Sequence, residues 1–100
     1  MQRYTSFRDF YPFYLSEHRD AICRRLHFIG SLIVLATIAT AIVARNAWWL
    51  VAAPIAGYGF AWVGHFFFEK NRPATFAYPL YSLVGDWRMF ADILRGKLPL

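Results

Sequence analysis

Two apolar runs dictate what this chain can fold into. Residues 28–44 carry no charge, and residues 47–68 are interrupted only by Pro54 and His65. The seventeen residues of the first run reach roughly 26 Å as a helix, slightly short of a bilayer core of about 30 Å. One further turn, back to Arg24, makes up the difference. Asp20 is a good N-cap for a helix that starts at Ala21 and continues to about Ala44. Only Arg45-Asn46 separates the two runs, so their helices must be antiparallel, and the pair reads as a transmembrane hairpin. Pro54 should kink the second helix. Gly57, Gly59 and Gly64 permit a close helix neighbour, either within the hairpin or from a second copy in a homodimer that completes a four-helix bundle.

Composition agrees with a membrane chain. Apolar types make up 58% of the 100 residues and charged types 17%, against an apolar share of about 45–50% in soluble domains. A chain of this length makes one domain, residues 1–100. The net charge of +5 does not point to nucleic acid, because the bases flank the apolar runs instead of forming one patch. Arg3, Arg8, Arg19, Arg24 and Arg25 precede the first run, and Lys70, Arg72, Arg88, Arg95 and Lys97 follow the second. The hairpin tip has only Arg45. The positive-inside rule then puts both termini in the cytoplasm. The polar, aromatic N-terminus does not read as a cleavable signal peptide. Cys23, the single cysteine, excludes an internal disulfide and a cysteine-rich zinc site, and reads as a small apolar residue near a helix start.

The flanks complete an all-α plan. Residues 1–18 are aromatic and basic; Thr5 or Ser6 can cap a short helix there, with Pro12 near its first turn or at a kink. Such a segment suits the membrane–water interface, or packs on the rest of a small fold. Residues 73–79 break the chain. From Leu80 the arc Leu80, Leu83, Val84, Trp87, Phe90, Ala91 and Leu94 predicts a helix too short and too charged to span, lying on the membrane. The fold expected is therefore a membrane helical hairpin flanked by N-terminal and C-terminal interfacial amphipathic helices. Asp86, at the edge of the arc, reads as a solvated carboxylate or a neighbour of Arg88.

The chemistry gathers at the cytoplasmic mouth. In a hairpin turning at Arg45-Asn46, residues whose numbers add to about 91 share a depth, so His27 lies level with Gly64 and His65. Glu69, four residues after His65, shares its helix face and lies level with Ile22 and Cys23. With Asp20 as the cap, His18 sits in the preceding loop and is free to turn inward. Ionisable groups at membrane depth are expensive and usually functional. Three neutral imidazoles and a carboxylate suit Fe(II), Zn(II) or another transition metal with positions open for substrate or O2. A bis-histidine haem site of His27 and His65 is an alternative on spacing, as is a set of interfacial histidines bonded to carbonyls or water. Glu69 is either a ligand or the carboxylate that orients His65. Lys70 and Arg72 can hold an anionic head group or serve as ordinary positive flanks.

Phe10-Tyr11-x-Phe13-Tyr14, His18 and His27, and Val63-Gly64-His65-x-x-Phe68-Glu69-Lys70-x-Arg72-Pro73-Ala74 together resemble the yeast-type 2-hydroxy fatty acid dioxygenase family of phytosphingosine alpha-oxidation, in a short bacterial form formerly described as a domain of unknown function. The longer eukaryotic relatives have additional helices between the two motifs. The resemblance implies an Fe(II)-dependent enzyme that uses O2 to shorten a long-chain 2-hydroxy fatty acid by one carbon, embedded in the bilayer of a bacterial inner membrane. It implies His18, His27 and His65 as metal ligands and Glu69 from the same motif as catalytic. Arg72 would neutralise the substrate head group, and the tail would lie in the bilayer or between Phe66–Phe68 and the first helix.

Overall fold

The computed structural model describes residues 4–100; Arg3, one of the basic flank, lies outside the described residues. Four α-helices and no strand occur among the described residues: α1 (Phe7–Ser16), α2 (Ala21–Ala44), α3 (Trp49–Val63) and α4 (Pro79–Leu94). α3 runs on without a break into a π-helical turn, Gly64–Glu69, and a 3-10 turn at Ala74–Phe76 leads to α4.

Each boundary has a local cause. Ser6 caps α1 by accepting from the Asp9 N–H at 3.2 Å. Pro12 sits inside α1 rather than in its first turn. Asp20 caps α2 as expected, its Oδ1 accepting from the Ile22 and Cys23 N–H groups at 2.8 and 3.2 Å. Arg45 ends α2 in the left-handed region at φ 53°, and the Asn46 side chain accepts from the Trp48 N–H at 3.0 Å to turn the chain into α3. α2 and α3 form the hairpin; α2, and α3 together with its π-helical turn to Glu69, are each long and apolar enough to cross a membrane.

The hairpin is packed inside out relative to a soluble fold. The buried seam of α2 is Cys23, His27, Gly30, Ser31, Thr37 and Ala41, while Ile29, Leu32, Leu35, Ile38 and Ile42 are exposed. Small residues on the seam let the backbones close up. A Cβ at Gly57 would meet Val34 Cγ2 at 3.3 Å, and one at Gly64 would meet Cys23 Sγ at 2.9 Å, whereas Gly59 has nothing within 4 Å. Gly57 and Gly64 thus serve packing within the hairpin, and Gly59 alone of the three is left open to an outside neighbour.

α4 has the same inversion. Leu80, Leu83, Val84 and Leu94 of its apolar arc are exposed, Phe90 of the arc is buried against Phe28, and the opposite face, Ser82, Gly85, Met89 and Asp92, is buried. That face packs on α1, whose Phe10 and Tyr14 form a cluster with Ala74, Tyr78 and Met89. α1 is therefore held into the fold by its aromatic face, and Gly85 presses against the Tyr14 ring, where a Cβ would lie 2.9 Å from Cδ2. Asp86 is not a solvated carboxylate: it turns inward and accepts a hydrogen bond from the Tyr14 hydroxyl.

Candidate metal centre

Three elements each deliver one histidine to the mouth of the hairpin. His27 comes from the second turn of α2, His65 from the π-helical turn, and His18 from the loop between α1 and α2. All three are buried, at 6%, 2% and 2% exposure. His18 Nε2 lies 3.1 Å from His27 Nε2 and 2.9 Å from His65 Nε2.

The outward-facing nitrogens fix the tautomers. His18 Nδ1 donates to the Tyr14 carbonyl at 2.7 Å, His27 Nδ1 to the Cys23 carbonyl at 3.0 Å, and His65 Nδ1 to Asn71 Oδ1 at 2.7 Å. The Asn71 amide is oriented in turn by its Nδ2, which donates to the Glu17 carbonyl at 3.2 Å and to Glu17 Oε2 at 2.9 Å. The oxygens behind the three rings accept only, and each lies within 3.0 Å of its Nδ1, so each Nδ1 carries the proton and each neutral ring turns an Nε2 lone pair inward. Burial, reinforced by His27 and then His65, holds the His18 pKa well below the usual imidazole range, so that ring stays neutral. Three lone pairs then face one another with no proton between them. Such an arrangement is repulsive on its own and attractive around a cation.

The spacing fits that occupant. Bonds of about 2.1 Å at right angles put two nitrogens about 3.0 Å apart, and tetrahedral angles put them about 3.4 Å apart. The void beside the rings, lined also by Tyr14, Trp62, Thr75 and Ser82, measures about 10 Å³. That is room for one ion or water. A porphyrin does not fit between His27 and His65, whose ring centroids are 5.0 Å apart.

The loop bearing His18 is tied from every side. Arg24 Nη1 donates to the His18 and Arg19 carbonyls at 2.9 and 2.7 Å. Asn71 holds Glu17, and the Glu69 carboxylate accepts from the Asp20 N–H. Glu69 is thus not among the converging groups. Its carboxylate is taken up by the backbone of the Asp20 cap, tying the start of α2 to the π-turn behind the imidazoles. π-turns are frequent at functional sites, and here Lys70, left-handed at φ 59°, ends the turn so that the Asn71 N–H returns to the His65 carbonyl at 3.0 Å.

Arg72 is not brought to the cluster either. It is exposed, with its guanidinium 5.3 Å from the Phe76 ring centroid. It lines an open cavity separated from the histidines by Pro73 and Ala74, which wall both spaces. Phe66, Phe67 and Phe68 are 46%, 70% and 41% exposed and face away from the site. Cys23, dismissed on sequence as a small apolar residue, is the fourth member of a buried His/Cys group able to hold a metal ion. Its Sγ lies 3.7 Å from His27 Nδ1, on the outer side of that ring. Asn71 and Tyr14 were also not legible as partners: their roles depend on the π-turn and on a carbonyl in the last turn of α1, which also accepts from the Glu17 N–H.

Fold and site together define an all-helical protein with two helices apt for membrane crossing and a buried three-imidazole centre at their mouth. The family described as 2-hydroxy-palmitic acid dioxygenase Mpo1-like matches residues 4–98, and the chain belongs to it. No curated protein and no solved structure matches the chain significantly.

Proposed function

We propose that this chain is a membrane-embedded Fe(II)-dependent dioxygenase that shortens 2-hydroxy fatty acids by one carbon. The observation that carries the reading is the convergence of three unprotonated Nε2 atoms, each fixed from behind by a carbonyl acceptor. Imidazole suits iron among several transition metals, and the family description supplies the choice of an oxygenase. Overall, one O2 converts the 2-hydroxy acid to the acid one carbon shorter, with carbon dioxide and water leaving.

His18, His27 and His65 would hold the metal. When bound, it supplies a Lewis acid for the carboxylate and hydroxyl of the substrate and a place for O2 to be activated. The chain's own residues orient and exclude. Tyr14, Cys23 and Asn71 lock the ring orientations, Arg24 and Glu69 hold the His18 loop, and Trp62 and Ala74 keep bulk water out of the void. Glu69 acts here as a positioning residue, and Arg72 as a charge at the rim for an approaching acid.

Membrane embedding is supported by the outward Ile, Leu and Val side chains of α2: only 22% and 17% of the two apolar windows are buried. The longest extent, 45 Å, suits a bilayer of about 40–45 Å with its head groups. Arg19, Arg24, Arg25, Lys70 and Arg72 cluster at the histidine end and Arg45 alone sits at the tip, which favours cytoplasmic termini. A homodimer could use the open Gly59 face.

The test is metal content by elemental analysis of protein purified anaerobically in mild detergent, beside His65→Ala. One iron per chain, lost in the variant, with oxygen uptake on 2-hydroxypalmitate, is the expected result. No bound metal after Fe(II) addition sinks the oxygenase and leaves a structural membrane protein.

A further inference from the structure

A second, larger cavity adjoins the metal centre. It is a half-open cleft of about 270 Å³ between α2, α3 and α4, lined by Val34, Pro54, Gly57, Leu83, Asp86 and Trp87, with Ser31 one turn beyond His27. Asp86 is common to this cleft and to the void beside the histidines. From there the cleft follows the hairpin towards its tip, past Gly57 and Val34.

We propose that this cleft holds the hydrocarbon chain of the 2-hydroxy acid, with Asp86 facing the 2-hydroxyl at its inner end and Gly57 setting the chain it admits. The inference rests on the oxygenase reading for its ligand. Three observations select an acyl chain over other occupants. At about 270 Å³ the cleft is too small to take a helix, which is about 10–12 Å across with its side chains. Its walls are mainly apolar, with Asp86 and Ser31 at the histidine end and the amphipathic Tyr58 further along, a pattern that suits a fatty acid with its head at the metal. Asp86 uses one oxygen for Tyr14. Its other oxygen has no partner among the described residues and is not a sealed unpaired atom, so it reaches open space at the junction. A buried carboxylate without a second partner is costly, and a donating hydroxyl relieves that cost. A site built to bond a hydroxyl also rejects the acid that lacks it. At Gly57 a Cβ already meets Val34 Cγ2 at 3.3 Å, so a longer side chain there crosses the cleft.

The test is photolabelling of the full chain in nanodiscs with a 2-hydroxypalmitate analogue carrying a mid-chain diazirine, read by peptide mass spectrometry. Labels are expected on Val34, Leu83 or Trp87, competed by 2-hydroxypalmitate more strongly than by palmitate. Gly57→Leu should cut that labelling roughly tenfold or more, and Gly59→Leu, on the open face, should leave it intact. Val34→Phe closes the cleft from the opposite wall and serves if Gly57→Leu fails to fold. Labels confined to outward residues such as Ile42, Ile55 and Phe67, or insensitivity to both cleft variants, overturn the proposal. Metal content and oxygen uptake are measured on the same preparation. Labelled cleft without turnover rejects the oxygenase and keeps the cleft; turnover with outward labels does the reverse.

Discussion

Replacing Gly64 by alanine should damage this protein although it replaces a poor helix former with the best one. Gly64 has φ −58°, so its backbone needs no glycine. What needs glycine is the approach of α2: a Cβ would lie 2.9 Å from Cys23 Sγ, 3.2 Å from Cys23 Cα and 3.4 Å from Cys23 Cβ. The thiol could rotate, but the Cα cannot retreat without moving α2. Overpacking of this kind costs about 1–3 kcal/mol, and the helix propensity gain of alanine offsets about 1 kcal/mol. Net destabilisation on the order of 1 kcal/mol follows. Gly59→Ala takes the same propensity gain with nothing within 4 Å, so the two variants should differ by about 2 kcal/mol, in opposite directions from wild type. Reversible unfolding in one detergent measures both. Because His65 follows Gly64 directly and His27 is one turn from Cys23, Gly64→Ala should also weaken metal binding in a competition titration, and Gly59→Ala should not. Equal stability of the two variants would falsify the claim that the Gly64–Cys23 contact sets the helix separation.

Two further changes probe the surroundings of the histidines. Asn71→Leu removes the acceptor behind His65 and should weaken metal affinity about 10–100-fold, while Asn71→Asp, which keeps an acceptor for Nδ1, should recover most of it; equal losses in the two would mean that Asn71 does not set the tautomer. Burial carries the Asp86 carboxyl from its ordinary 3.8 up to about 6, against the opposing pull of the Tyr14 bond. The folded state therefore keeps a proton that the unfolded state releases, and this contribution to stability, full below pH 4, is lost as pH rises to about 6. Asp86→Asn does not titrate, so its stability relative to wild type should rise by about 3 kcal/mol between pH 4 and pH 7, read from unfolding curves at both; a flat difference would place Asp86 in water.

The hairpin and the meeting of the histidines were legible because both follow from rigid geometry. Asp20 caps α2 where a capping carboxylate should, and one rise per residue from a fixed tip puts His27 and His65 at one depth. Less was legible where a partner comes from another element. The Glu69 carboxylate accepts from the Asp20 N–H, a bond set by how the loop before α2 folds and not by spacing along one helix. Asn71 could not be placed behind His65 without the π-turn and the left-handed Lys70 after it.

Asp86 was misread for a more general reason. On α4 the apolar arc was read as lying on the membrane, with Asp86 at its edge in water. Leu80, Leu83, Val84 and Leu94 of that arc are exposed, but Phe90 is buried, and the opposite face of Ser82, Gly85 and Asp92 is covered where α4 packs on α1. The membrane setting proposed above accounts for the exposed leucines, since burying leucine gains nothing when lipid is as apolar as the protein interior. Polar and small residues then pack inside, where backbones approach closely and hydrogen bonds find partners. Along the hairpin, the side chains that would mark a core in a soluble chain therefore mark the outside, while α1 keeps a buried aromatic face. The chain's remaining polar residues, His18, His27, His65, Tyr14 and Asp86 among them, collect where the chemistry is.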